Sequence, residues 1–225
     1  MSKRRHALYF WVSSAIAIAS GIYAWHFSGY SEVVFWLFVA GAAILALYTW
    51  PLKHIGLGEI SIFLVWGPLM IMGVYYVLVG SWSWNAVLAT LPFGLSVGAA
   101  NNAEHLDKRA EDQRKGVHTL PVLIGDVAAR WVTIVAIVLC YLITIYLVFG
   151  NRYFTPALLL VLLALKVTLP TVEHLLRPKP TEVPKDHPAW PMWFFADSLR
   201  FSAAFGKKPR PDLPVPRSTG QSRSV

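Results

Sequence analysis

The chain has 225 residues, 56% of them hydrophobic and only 14% charged, with a formal net charge of +8 and a mean hydropathy of +0.50. Apolar residues gathered into runs about twenty long exclude a soluble domain and describe an integral membrane protein with one helical bundle. The basic excess does not call for nucleic acid, because Lys and Arg collect at the ends of the apolar runs, and a single cysteine, Cys140, excludes a disulfide framework or a Cys-based metal site.

The chain opens on Lys3, Arg4 and Arg5 ahead of an apolar run over 7–27. That run is longer than a signal core of about 7 to 15 residues, so it predicts an uncleaved first span, with Ala17-Ile18-Ala19 the one hint of processing. Further spans are predicted at 33–50, 60–79, 85–101, 127–149 and 154–176, each near the roughly 20 residues that cross about 30 Å of hydrocarbon. The expected architecture is an all-α polytopic membrane bundle of about six transmembrane helices over 1–177.

Alternate loops test this topology. One side holds Lys3, Arg4, Arg5, then Lys53, then Lys108, Arg109, Arg114 and Lys115, then Arg177, Lys179 and Lys185; the other holds Arg152 alone. Both termini are therefore expected in the cytoplasm. Trp82, Trp84 and Tyr153 read as headgroup anchors on the opposite side, and Gly67-Pro68 should kink the third span.

After Arg177 the composition shifts. Residues 178–189 read as a Pro-rich linker. Residues 190–206 read as an interfacial segment or a truncated helix, aromatic but broken by Asp197 and Arg200. Residues 207–225 read as a disordered basic tail.

The unusual stretch is 101–125, where Glu104, Asp107, Glu111 and Asp112 alternate with Lys108, Arg109, Arg114 and Lys115 between two apolar runs. Carboxylates grouped at the cytoplasmic end of a bundle suit Mg2+, which is held by one or two of them together with substrate phosphate oxygens. Lys and Arg, Lys108 and Arg114 among them, can then meet the remaining phosphate charge. Composition alone slightly favours a plainer alternative, a solvated loop whose cations set topology.

The sequence Asn101-Asn102, His105-Leu-Asp107-Lys108, then Asp112, Gly116 and Thr119-Leu-Pro-Val-Leu-Ile-Gly125 resembles the second aspartate-rich motif of the UbiA superfamily of intramembrane prenyltransferases. Tyr48-Thr-Trp-Pro-Leu-Lys53, Gly56-Leu-Gly-Glu59, Trp66-Gly-Pro-Leu-Met70 and Tyr75-Tyr-Val-Leu-Val-Gly80 extend the likeness, which covers residues 7–205. The resemblance implies a UbiA-like bundle that moves a prenyl group from a prenyl diphosphate to an aromatic or lipid acceptor in quinone or lipid biosynthesis, among membrane lipids. It further implies Mg2+ held by Asp107 and Asp112 as the catalytic carboxylates, with Asn101 or Asn102 supporting them and Lys53 on the diphosphate beside Tyr48.

Two departures from the family pattern shape the expectation. Asp107 and Asp112 are five residues apart, about 140° around a helix, whereas Asp107 and Glu111 are nearly aligned. Counting back from Gly116 and Thr119 selects Asp112, on the premise that the stretch is not a regular helix, and Glu111 stays a second metal candidate. The family's first motif has no counterpart in residues 1–32, where Glu32 is the only acid. The chain is thus expected to lack the family's first two helices and its last, and a second chain could supply the missing motif.

Lys166 lies mid-span, at a depth that favours a cavity or pathway role over snorkelling. Glu173 and His174 read as interface residues. His105, His118 and His187 lack the spacing of a zinc site. Beside the prenyltransferase stand a non-catalytic subunit or lipid-diphosphate binder of the same descent and, on weaker grounds, a small transporter.

Overall fold

The computed structural model describes residues 3–180 and 192–206; the tail over 207–225 and all of the linker beyond residue 180 lie outside them. Helix α1 spans Lys3–Phe27 and α2 spans Glu32–Tyr48. Helices α3, Gly58–Leu64, and α4, Met70–Val79, join through the π turn Val65–Leu69 into one rod. The long α5, Trp84–Arg114, and the short α6, Leu120–Ile124, follow. Helix α7, Asp126–Ile145, runs into a second π turn at Tyr146–Gly150. A 3-10 stretch at Pro156–Ala164 leads into α8, Leu165–Leu176, and α9 spans Trp193–Gly206.

Four rods are long and apolar enough to cross a membrane: Arg4–Phe27, Gly58–Val79, Asp126–Gly150 and Pro156–Leu176. Helix α2 is apolar but only 17 residues long, and α5 joins an apolar first half to a charged second half. The polytopic helical bundle expected from the hydropathy is therefore present, although two of the predicted crossings rest on less regular helices.

The expected kink at Gly67-Pro68 takes a specific form. Pro68 lies inside the π turn, so the ladder widens locally to absorb the missing N–H and the rod stays continuous.

Helix α5 departs most from expectation, because it does not stop near residue 101 and the polar stretch is not an irregular loop. No Gly or Pro interrupts 99–115, and Glu104–Lys108 and Glu111–Lys115 pair one turn apart along the helix, each adding a few tenths of a kcal/mol. The helix ends only at Gly116, which adopts φ +68° while the Val117 N–H donates back to Asp112 O at 2.9 Å. This is a left-handed C-terminal cap. With 31 residues, α5 extends about 46 Å at 1.5 Å per residue.

Helix α5 packs against α7, α9 and the α3–α4 rod. Its inner face is built from small residues: Ala86, Gly94, Ala99, Ala100 and Ala103 are buried. The closest approach is at Gly94, where an added Cβ would sit 3.0 Å from Gly67 Cα and 2.9 Å from Phe63 O. Neither backbone atom can swing aside, so glycine is required at this crossing, as in close-packed membrane helices. Cys140 is fully buried and donates to Pro92 O at 3.2 Å, in keeping with a small core residue.

Residues 190–206, expected as an interfacial or truncated helix, include α9, whose Phe194 and Phe201 are buried in the same core cluster as Ala99, Ala103 and Leu106 of α5. Lys166 is exposed rather than turned into the bundle. Helix α8 turns Thr168, Thr171 and Leu175 inward, and Lys166, about 200° around from Thr168, lies on its exposed face.

Gly94→Leu is expected to disrupt the α3–α5 crossing, at a cost of at least the 1 to 3 kcal/mol of core overpacking. Gly73→Ala, where nothing lies within 4 Å of an added Cβ, should leave stability unchanged or raise it by up to about 1 kcal/mol. Thermal unfolding midpoints of the two variants in detergent check this contrast.

Candidate functional site

Because the stretch after Asn101 is helical, its carboxylates point in different directions. Asp107 turns toward the end of the chain: its side chain is 1% exposed, and Oδ1 accepts from Lys179 Nζ at 3.0 Å. Oδ2 accepts the backbone N–H groups of Phe194 and Phe195, each at 2.9 Å. These N–H groups open α9 and have no partner within that helix, so Asp107 caps it with full negative charge at its positive pole.

Asp112 turns the other way. It is buried, and its Oδ2 lies 3.1 Å from His105 Nδ1 and accepts from Thr119 Oγ1 at 3.4 Å. Thr119 is itself fully buried, so Asp112 fastens the motif that follows Gly116 back onto α5. Arg109 completes the fastening by donating to Pro121 O at 3.0 Å.

Glu111 is exposed and paired with Lys115, whose hydrogen bond, and then its charge, holds the Glu111 carboxyl below the usual carboxylate range. Lys108 has its pKa raised, first by its hydrogen bond to Glu104. Arg114 is exposed and donates to Ala110 O at 3.3 Å.

The three predicted metal carboxylates thus serve three separate contacts. Among the described residues no group of three or more His, Cys, Asp or Glu side chains is placed to hold a metal ion. The donor set of the described residues does not fit a resident Mg2+ site.

Two distant segments do converge. Gly56 adopts φ +75°, and a Cβ there would fall 2.4 Å from Leu123 Cδ1 and 3.8 Å from His118 O, so only glycine lets the loop after α2 press against the Thr119–Gly125 motif. Two residues on, an added Cβ at Gly58 would lie 3.5 Å from Lys53 Cα and 3.7 Å from the Tyr48 ring. Tyr48, Lys53 and Glu59 are thereby gathered around one glycine. Glu59 Oε1 accepts the Leu120 N–H at 3.3 Å, which ties this group to the start of α6. Lys53 is half-buried and makes no ion pair among the described residues.

Behind this junction a cavity of about 210 Å³ opens between α3, α5 and α7, lined by Glu59, Ile60, Phe63, Leu95, Ala99, Asn102, Leu120 and Thr133 among others. Asn102 is 2% exposed, and its Nδ2 donates to Ala129 O at 2.9 Å and to Thr133 Oγ1 at 2.8 Å. Neighbouring Asn101 keeps a buried Nδ2 without a partner among the described residues.

The structure therefore sets Asn102, Tyr48 and Lys53 around one junction, and Asp107, Glu111 and Arg114 in other directions. It adds Glu59, His105 and Arg109, for which the sequence reading gave no role. A carboxylate at the first turn of an apolar span was the available signal for Glu59. Nothing in local spacing marks His105 as the partner of Asp112, seven residues on.

A family model described as the UbiA prenyltransferase family matches residues 1–181. The chain is similar to UbiA prenyltransferase domain-containing protein 1 of Gallus gallus, 30% identical over 119 residues, 52% of this chain and 35% of that protein. It is also similar to 1,4-dihydroxy-2-naphthoate octaprenyltransferase of Escherichia coli, 31% identical over 105 residues, 44% and 34% of the two chains. A third relative is 2-carboxy-1,4-naphthoquinone phytyltransferase of Synechocystis sp., 30% identical over 109 residues, 46% and 36%. The matched stretch spans about a third of each relative's own length. No solved structure matches significantly.

Asp107→Asn should loosen α9 by about 1.5 to 3 kcal/mol, the scale of hydrogen bonds to a charged group, and raise amide exchange over 194–206. Asp112→Asn should raise exchange over 112–120 and leave α9 protected. Hydrogen–deuterium exchange with mass spectrometry separates these effects from a shared metal role, in which both variants would change the same segment.

Proposed function

Since the chain belongs to the UbiA prenyltransferase family, we propose that it binds a prenyl diphosphate at the junction of the Tyr48–Glu59 loop and the Thr119–Gly125 motif, and takes part in transferring the prenyl group to an aromatic acceptor. The observation that carries this reading is that junction: Lys53, which makes no ion pair among the described residues, packs beside Gly58, and the next residue, Glu59, lines an apolar cavity within the bundle. In this reading Lys53 meets the diphosphate and the unfilled Asn101 N–H group donates to it, with Tyr48 beside them.

The transfer breaks the allylic C–O bond, whose electron pair leaves with the diphosphate. A ring carbon of the acceptor forms the new C–C bond and the ring proton is lost. The chain's contribution is position and dryness: an apolar enclosure favours capture of the allylic cation by the acceptor over capture by water. The names of two relatives, which refer to a dihydroxynaphthoate and a carboxynaphthoquinone, support an aromatic acceptor. Mg2+ belongs to this proposal as a counter-ion arriving with the diphosphate, to which it binds readily. The basic loops support a site on the cytoplasmic side of the membrane.

The burial of Asp107 under α9 favours a second reading, a subunit that binds the lipid diphosphate without completing transfer on its own.

In lipid nanodiscs, Lys53→Ala is expected to weaken farnesyl diphosphate binding at least about tenfold, the scale of a lost charge-assisted contact, and Lys115→Ala to leave it unchanged. Equal binding by both variants overturns the site. Tight binding without prenyl transfer to added dihydroxynaphthoate selects the second reading.

A further inference from the structure

At the end of the bundle remote from the polar stretch, an open groove of about 380 Å³ lies between the start of α2 and the turn that precedes α5. Glu32, Val33, Trp36 and Leu37 form one wall and Trp82 the other. Trp82 stands two residues before α5, whose 31 residues run from this end toward Gly116. The groove is therefore separate from the junction at Lys53.

The wall on α2 follows from helical spacing. Glu32 and Trp36, four residues apart, share a face, and Val33 and Leu37 repeat that step one residue on. Glu32 opens α2, which carries no other charge, so its carboxylate sits where the span meets water. Leu37 lies about 7.5 Å further along the span at 1.5 Å per residue. The groove thus holds one charge at its rim and turns apolar with depth.

Glu32 lacks a counter-charge. It is exposed and makes no ion pair or side-chain hydrogen bond among the described residues. Residues 6–52 and 54–107, which include both walls, contain no Lys or Arg. Trp36 and Trp82 are 64% and 43% exposed, so both indoles keep a large accessible area in the groove that Glu32 lines.

A carboxylate beside two indoles has the chemistry of a cation site, because indole attracts a cation more strongly than the other aromatic rings. A primary ammonium brings several N–H donors, and of the side chains lining the groove only Glu32 accepts. A quaternary ammonium has no N–H to satisfy and presents methyl groups to the rings, the use to which aromatic cages are put. An anionic head group is turned away by Glu32. The volume falls within the roughly 300 to 1,000 Å³ of small-molecule sites, and the passage from charged rim to apolar depth matches a lipid, whose cation is tied to acyl chains.

We propose that this groove binds the trimethylammonium head group of a choline lipid, with Glu32 as its counter-charge, Trp36 and Trp82 as the aromatic walls, and Val33 and Leu37 against the start of an acyl chain. The site goes beyond prenyl transfer and does not depend on it.

Native mass spectrometry of the full chain tests this, with the protein released from micelles holding equal amounts of phosphatidylcholine, phosphatidylethanolamine and phosphatidylglycerol of identical acyl chains. The wild type should retain phosphatidylcholine at least about fivefold over either other lipid, the scale of one cation–π contact. Trp36→Leu combined with Trp82→Leu should remove the preference and Glu32→Gln should reduce it, whereas Trp131→Leu, at an exposed indole of α7, should keep it. Equal retention of the three lipids by the wild type overturns the proposal without reliance on any variant, and so does a preference that survives in the folded double variant. Preferred retention of phosphatidylethanolamine overturns the quaternary assignment, and displacement of the bound lipid by equimolar choline chloride overturns the lipid as its source.

Discussion

The bidentate grip of Asn102 on α7 is the contact on which the rest of the site depends. By donating to Ala129 O and Thr133 Oγ1, it fixes the rotation of α5 at the level where that helix passes from apolar to charged residues. A helix allows no local freedom beyond that point: each later side chain follows at about 100° per residue. Once Asn102 faces α7, the opposed directions of Asp107 and Asp112 are set.

Two supports keep α5 in that rotation. The Gly67–Gly94 crossing lets the α3–α4 rod lie against α5 with no side chain between, and the Asp112–Thr119 link folds the motif back onto the helix. The Gly56 turn then has a fixed surface to press against. The cavity is what these three contacts leave between them, and its apolar walls come from the same small and medium residues that permit the close approach.

The bundle was legible in the sequence because twenty-residue apolar runs admit few other structures in a bilayer, and the Asn102 and Lys53 neighbourhood was legible through its motifs. The end of α5 was misjudged because charge was taken as a sign of a loop, whereas Glu104–Lys108 and Glu111–Lys115 are charges arranged to extend a helix. Asp107 received its metal role from the family resemblance; its contacts with the first amides of α9 lie far along the chain and leave no trace in local spacing. The direction of Lys166 required knowledge of which face of α8 is inward, and depth alone does not supply it. Glu59 was legible only as a carboxylate at the first turn of an apolar span, since its contact with the Leu120 N–H becomes apparent in three dimensions.

The cap that Asp107 places on α9 bears on how the protein is made. Phe194 lies 87 residues after its acceptor, so when α9 leaves the ribosome its capping carboxylate has already been synthesised. A late segment that meets a prepared, charged receptor need not nucleate alone. Docking can orient it before its own backbone bonds close. The order of synthesis and the order of assembly then coincide, and α9 folds onto the bundle as a guest onto a template.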